Sequence, residues 1–298
     1  MGVSDLLTWE GVRALATCEA LNMPSSPLLL ARFDPARPPI KSAEKAHWAR
    51  TAIPMVPQAG DIVYARTAWR HPWRAQLVTT ITAPVVLVTT FYDPMIQAHA
   101  TAEMFQPGSP IQHWFGVQVL ATHPQLTPMP VGVEGSIVPF LQMTEQRSRR
   151  EIPLYLNFAL QHQGFAGDPL RVGLWQHFKS EPWVVAEPWT RGGEAHYVEQ
   201  LGRSRFVLSP PGLGWDCYRT YEAIAMGAIP IVQRKPPATD VCEDLPVLLV
   251  DDWREVTPTR LAHEWEHRRP GDTRTLTLTY WREQIQAAAM RCQMEMTH

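Results

Sequence analysis

The hydrophobic pattern is clearest in the second half of the chain. Residues 154–158, 183–186, 205–209, 229–233 and 247–250 are short apolar runs, and helical spacing separates them at 168–179, 193–201, 215–226 and 259–267. Strands alternating with helices of this length predict βαβ units and a parallel sheet. Asp168 is placed to cap the helix that runs to Lys179. A final helix is expected over 275–289. The first half is less regular. A short strand is expected at 61–66, and the continuous β-branched run 83–91 reads as a strand buried on both faces of a parallel sheet. Asp93 follows that run directly. Helix and strand are expected across 111–119 and 129–133, with Glu134 just past the second run. Residues 1–60 are rich in proline and carry little periodicity. The charged segment 144–151 reads as a linker, dividing the chain into lobes 1–148 and 149–298, with the last helix able to pack back on the first lobe.

Composition fits that division. At roughly 100–200 residues per domain, 298 residues suggest two domains. A hydrophobic fraction of 45% with 19% charged residues supports buried cores. The net charge of −2 argues against a dedicated nucleic-acid binder. The four cysteines, Cys18, Cys217, Cys242 and Cys292, have no C-x-x-C spacing and read as free thiols in a reducing compartment. No secretory leader is evident, and the longest apolar stretch, 81–92, is too short to span a bilayer. The expectation is a cytoplasmic protein. The 12 tryptophans suit stacking on sugar rings as well as ordinary core packing.

One stretch carries chemistry. Residues 206–232 read as a strand, a glycine loop, a helix and a second strand. Gly212 and Gly214 allow the backbone to bend and approach a ligand. The helix behind them points free N–H groups and its positive dipole end at the loop, which suits a phosphate. Asp216, Arg219 and Glu222 follow at i, i+3 and i+6, a spacing that would place them in one row on the helix. Gly227 is positioned to end that helix. A guanidinium at Arg219 can meet the charge of a diphosphate. Glu222 can accept from two ribose hydroxyls, and Asp216 can hold a sugar hydroxyl or orient Arg219. The bland alternative is a solvated row of alternating charge.

The segment SRFVLSPPGLGWDCYRTYEAIAMGAIPIV, residues 204–232, resembles the donor-site signature of exostosin-type glycosyltransferases. The shared elements are a serine–aromatic strand at 204–206, a proline–glycine loop at 210–214, an Asp-x-x-Arg-x-x-Glu run at 216–222 and a Gly-x-Ile-Pro-Ile-Val strand at 227–232. YWRE at 280–283 and WFGVQVLATHPQLTPMPVGVE at 114–134 are similar more loosely. The resemblance implies a GT-B-like α/β fold, two Rossmann-like lobes with parallel sheets facing across a cleft. Residues 1–148 would then form the acceptor-side lobe and 149–298 the lobe holding the nucleotide sugar. It implies inverting transfer from a UDP- or GDP-sugar to a glycan or other hydroxyl-bearing acceptor, with no metal or cofactor. The donor-binding set would be Arg191, Ser209, Gly212, Gly214, Asp216, Arg219 and Glu222. Arg219 would also stabilise the departing diphosphate, and Asp93 or Glu134 would take the acceptor's proton. His113 and His123 are further candidates for that proton. Asp93 ahead of Pro94, and Arg191 ahead of two glycines, also suit plain turns.

Rival readings remain. His263, Glu264 and His267 match H-E-x-x-H, a zinc-hydrolase motif, with Glu283 the nearest third ligand. A charged surface helix explains the same residues. Gly212-x-Gly214 suggests a dehydrogenase, but Cys217 fills the place of the third glycine. A protein that binds a nucleotide sugar without catalysis is another possibility. So is a transferase acting on modified DNA bases, although 4 lysines against 23 arginines and a slightly negative net charge do not favour DNA.

Overall fold

A computed structural model describes residues 5–21, 29–34, 54–66, 73–90, 95–144, 150–160, 169–268 and 271–294. The chain divides into two compact units. One comprises Leu7–Val131 with Leu278–His298, and the other Met1–Leu6 with Gly132–Thr277.

The first unit is built on a six-stranded sheet. Its strands are β1 (Cys18–Leu21), β2 (Leu29–Arg32), β3 (Ile62–Arg66), β4 (Val85–Thr90), β5 (Ile111–Gly116) and β6 (Leu126–Pro128), in the order β2-β1-β3-β4-β5-β6. Among the described strand pairs of this sheet, only β1–β2 is antiparallel. The run expected to be buried on both faces is β4, and every residue in it is buried. Its alternate side chains enter different cores, as the two-residue period of a strand requires. Val85 and Leu87 pack with Leu77 of α2 (Trp73–Thr80) and Met104 of α3 (Ala98–Met104). Val86 and Val88 pack with Val12 of α1 (Trp9–Arg13) and with Trp281, Ile285, Ala288 and Cys292 of the carboxyl-terminal helix Leu278–Met294. The run 129–133 is not a strand. The ladder with β5 ends where the Met129 N–H donates to the Gly116 carbonyl at 2.8 Å, and Pro130 has no N–H to continue it. The weakly periodic start of the chain nevertheless supplies α1, β1 and β2.

The second unit holds a five-stranded sheet in which every pair is parallel. Its strands are β7 (Ile152–Leu156), β8 (Val184–Ala186), β9 (Ser204–Leu208), β10 (Ile229–Gln233) and β11 (Leu248–Val250), in the order β11-β10-β9-β7-β8. The helices are α4 (Val138–Met143), α5 (Pro169–Phe178), α6 (Glu194–Arg203), α7 (Tyr218–Ala225) and α8 (Pro258–Glu266). Leu154, Leu156, Phe206 and Leu208 pack with Leu174 and Phe178 of α5, while Tyr155 and Val207 pack with Tyr197 and Leu201 of α6 and Ala223 of α7. Both units are therefore α/β, with sheets dominated by parallel pairs.

The expected linker differs from the structure at its end. Arg150 is buried, and its guanidinium donates to the carbonyls of Leu201, Ser204 and Met226 at 3.2, 2.9 and 2.6 Å. Those carbonyls lie where α6 and α7 stop, so one cation answers acceptors that helix ends leave open. Residues 145–149 and the expected cap Asp168 lie outside the described residues. Among those described, no helix is long and apolar enough to cross a membrane.

Candidate functional site

The order of the second sheet locates the site. From β7 the chain moves to β8 on one side, then returns to β9 on the other and continues to β10 and β11. Ligands of open α/β sheets bind outside the carboxyl ends of the strands at such a reversal. Asn157 follows β7 there, and Ser209 follows β9.

Arg219, in the first turn of α7, reaches across to β7. Its Nε donates to the Asn157 carbonyl at 2.7 Å, and its guanidinium lies 5.5 Å from the centroid of the Phe158 ring. Its Nη1 is buried and has no hydrogen-bond partner among the described residues. Asn157 is 6% exposed, and its Oδ1 is likewise buried and unpartnered. The Asn157 Nδ2 donates to the Tyr155 hydroxyl at 3.0 Å. That hydroxyl donates to Glu187 Oε2 at 3.0 Å, and His196 Nε2 lies 2.9 Å from the same oxygen. Burial, then the charge of Glu187, pushes the Tyr155 pKa well up. The phenol therefore keeps its proton.

A second arginine stands on the same aromatic ring. Arg171 of α5 donates from Nε to the Pro211 carbonyl at 2.8 Å and from Nη1 to the Ala159 carbonyl at 3.0 Å, with its guanidinium 5.8 Å from the Phe158 centroid. It ties the glycine loop to the end of β7. Burial raises the Cys217 pKa, and the charges of Arg219 and Arg171 oppose that rise. Two cations thus act on the loop 209–217.

Glu222, one turn beyond Arg219, is 5% exposed and accepts from the Tyr197 hydroxyl at 2.7 Å. It also accepts from the backbone N–H of Glu134. Burial raises its pKa foremost; the Tyr197 hydrogen bond, the Arg219 charge and that backbone N–H pull the other way, while the Glu134 carboxylate adds to the rise.

The expected row of Asp216, Arg219 and Glu222 does not form. Helix α7 begins only at Tyr218, with Cys217 as an extended cap, so Asp216 lies before the helix. Its buried carboxylate accepts from the Tyr221 hydroxyl at 2.5 Å. Ser209 is also turned inward, where its hydroxyl pairs with Thr220 Oγ1 at 2.9 Å. The Gly212 N–H is taken by the Gly214 carbonyl at 2.9 Å, and neither glycine has a positive φ. That amide is occupied within the loop. Gly227 does have a positive φ, 74°, at the end of α7. Arg191 is exposed in a turn beside Gly192.

Of the expected proton acceptors, Asp93 lies outside the described residues. Glu134 belongs to the second unit, with Glu222, and not to the first as expected. Its carboxylate caps the turn Gly135–Ile137, accepting from the Ser136 N–H at 2.9 Å and from the Ser136 hydroxyl. His113 shares a 2.8 Å hydrogen bond with Thr127 Oγ1, and burial, then the charge of Arg291, lowers its pKa. His123 is stacked on Phe105 at 4.3 Å between centroids.

The H-E-x-x-H residues have other partners. His263 and His267 stack on one another at 4.2 Å, and Glu264 lies 3.5 Å from Arg260. Glu283 is in the other unit. No group of three or more His, Cys, Asp and Glu side chains among the described residues could hold a metal ion.

Sequence reasoning missed Asn157, Tyr155, Glu187, Tyr197 and Arg171. The available signal was a polar residue inside the apolar run 154–158, at Asn157, and an arginine in the helix that follows it.

No curated protein matches the chain. Among solved structures, the crystal structure of the GtfA/B complex is similar over 90% of this chain and 64% of that one, at 12% identity and a TM-score of 0.40. The pneumococcal O-GlcNAc transferase GtfA in complex with UDP and GlcNAc is similar over 80% of this chain and 56% of that one, at 12% identity and a TM-score of 0.33. This chain therefore spans 64% and 56% of the length of these two proteins. Residues 178–294 match the family model described as the RXYLT1 C-terminal domain. That stretch carries Arg219 and Glu222.

Proposed function

We propose that the chain transfers a sugar from a nucleotide-diphosphate sugar to an acceptor hydroxyl. The carrying observation is the Arg219 guanidinium, held by Asn157 and Phe158 where the sheet order reverses, with Nη1 buried and unpartnered. A buried cationic donor left open is costly, and an anionic oxygen removes that cost. A diphosphate supplies such oxygens. Its charge grows as the sugar departs, so a fixed guanidinium binds the transition state more strongly than the ground state. The field of Arg171 adds to this. Glu222 keeps acceptor capacity beyond its bonds to Tyr197 and the Glu134 N–H, and in this reading it takes the ribose hydroxyls.

A UDP- or GDP-linked donor follows from the family likeness. Transfer with inversion requires a base for the acceptor proton. Glu134 is the described candidate, close enough to influence Glu222. Asp93 is the other. The acceptor is a glycan or another hydroxyl-bearing molecule.

The test is a thermal-shift screen across nucleoside diphosphates and their sugars, followed by transfer assays with the best stabiliser. A ligand present at 100 times its Kd stabilises the native state by about 2.7 kcal/mol. Arg219→Ala is expected to reduce transfer by about 2–4 kcal/mol of transition-state stabilisation. Undiminished turnover in that variant would overturn the assignment.

A further inference from the structure

The two unpartnered atoms at the switch point belong to residues in direct contact, because Arg219 Nε is bonded to the Asn157 carbonyl. One is a cationic donor and the other a neutral acceptor. A diphosphate alone satisfies the first and leaves the second open. Buried acceptors are seldom left unpaired, so an occupant that also brings a hydrogen-bond donor fits both.

The side-chain amide of Asn157 is fixed in its sense. Glu187 offers only acceptor oxygens when ionised, so the Tyr155 hydroxyl spends its one proton on that carboxylate. Its oxygen is then left as an acceptor, and the group it receives at 3.0 Å is the Asn157 amide nitrogen. The carbonyl oxygen of the amide is thereby the unpartnered atom, and a flipped amide would set two acceptors against each other.

From this chain of bonds we infer that Asn157 Oδ1 accepts a hydrogen bond from a hydroxyl of the nucleotide sugar, beside the phosphate oxygen that Arg219 binds. The inference rests on the proposed donor site and names a ligand-reading residue within it. Tyr155 is a positioning residue, holding the amide in the accepting sense through Glu187. The hydroxyl belongs either to the ribose or to the transferred sugar.

Titration calorimetry separates these cases, using inorganic pyrophosphate, UDP, GDP, UDP-glucose and GDP-mannose as probes. Asn157→Ala is expected to leave pyrophosphate affinity at the wild-type value. It should weaken the preferred nucleotide sugar by a factor on the order of ten, as for one lost hydrogen bond. An equal loss for the free nucleotide assigns the hydroxyl to the ribose; a loss confined to the sugar-linked form assigns it to the transferred sugar. Tyr155→Phe keeps the ring and frees the amide, so the same selectivity should fall less. This conservative variant supplies the test if the alanine variant does not fold. Unchanged affinity of Asn157→Ala for every probe, beside weakened binding in Arg219→Ala, would overturn the role of Asn157 and leave the transferase reading standing. Loss of pyrophosphate affinity in step with the rest would show Asn157 acting only through Arg219. Failure of the wild-type protein to bind any of these probes would end both readings together.

Discussion

Glu222 and Arg150 show opposite ways of burying charge. Arg150 remains a cation because three carbonyls surround it. Glu222 has a tyrosine hydroxyl, a backbone N–H and the field of Arg219, yet burial outweighs them and its pKa rises above the ordinary glutamate range. Folding therefore favours the neutral carboxyl. Its contribution to stability is fully present below the unfolded pKa, near 4.5, and is lost as pH rises through the higher folded value. Glu222→Gln removes this titration while keeping the shape. Urea denaturation of the unliganded protein across that range should give a flatter pH profile for the variant than for wild type. Parallel profiles would show that Glu222 does not titrate differently on folding.

At the scale of elements, α7 has a well-defined end. Gly227 takes φ 74°, its N–H donates to the Ile224 carbonyl at 2.8 Å, and the Ala228 N–H donates to the Ala223 carbonyl at 2.9 Å. The left-handed turn closes the helix and starts β10. Gly227→Ala should destabilise the protein by about 1–2 kcal/mol, read as a lower denaturation midpoint with an unchanged slope, and Gly227→Asn by less. The glycine was legible in the sequence because the cap is local. So were the strands of the second sheet and β4, each built around a short apolar run. The start of α7 was not: Asp216 sits at helical spacing from Arg219, but its carboxylate is claimed by Tyr221 before the helix begins. Asn157 was hidden for a different reason. Its importance comes from strand order, and nothing in residues 152–158 says that β9 will lie next to β7. Likewise β1 and β2 are four residues each, too short to set a period.

At the scale of the whole molecule, the chain passes from one unit to the other three times, after Leu6, Val131 and Thr277. The last passage delivers Trp281, 3% exposed, to the core beneath Val86 and Val88, where its ring meets Phe115 edge-on at 6.3 Å. Trp281→Ala should cost about 3–5 kcal/mol of unfolding free energy, measured by chemical denaturation. The stabilisation given by nucleotide should persist, since its proposed ligands lie in the other unit. A cost under about 1 kcal/mol would mean that the core closes over the gap.

This interleaving bears on what the matched stretch could do alone. The family likeness begins at 178, the last residue of α5, and ends at 294, the last residue of the carboxyl-terminal helix. It omits β7, the strand between β9 and β8, along with Tyr155 and Asn157. It includes a helix whose apolar stripe completes a different sheet. Similarity and self-sufficiency are thus cut along different lines. A fragment excised at the boundaries of the likeness would have a gap in its own sheet and a greasy helix with nothing to cover it, so the matched stretch is not a part that can be lifted out whole.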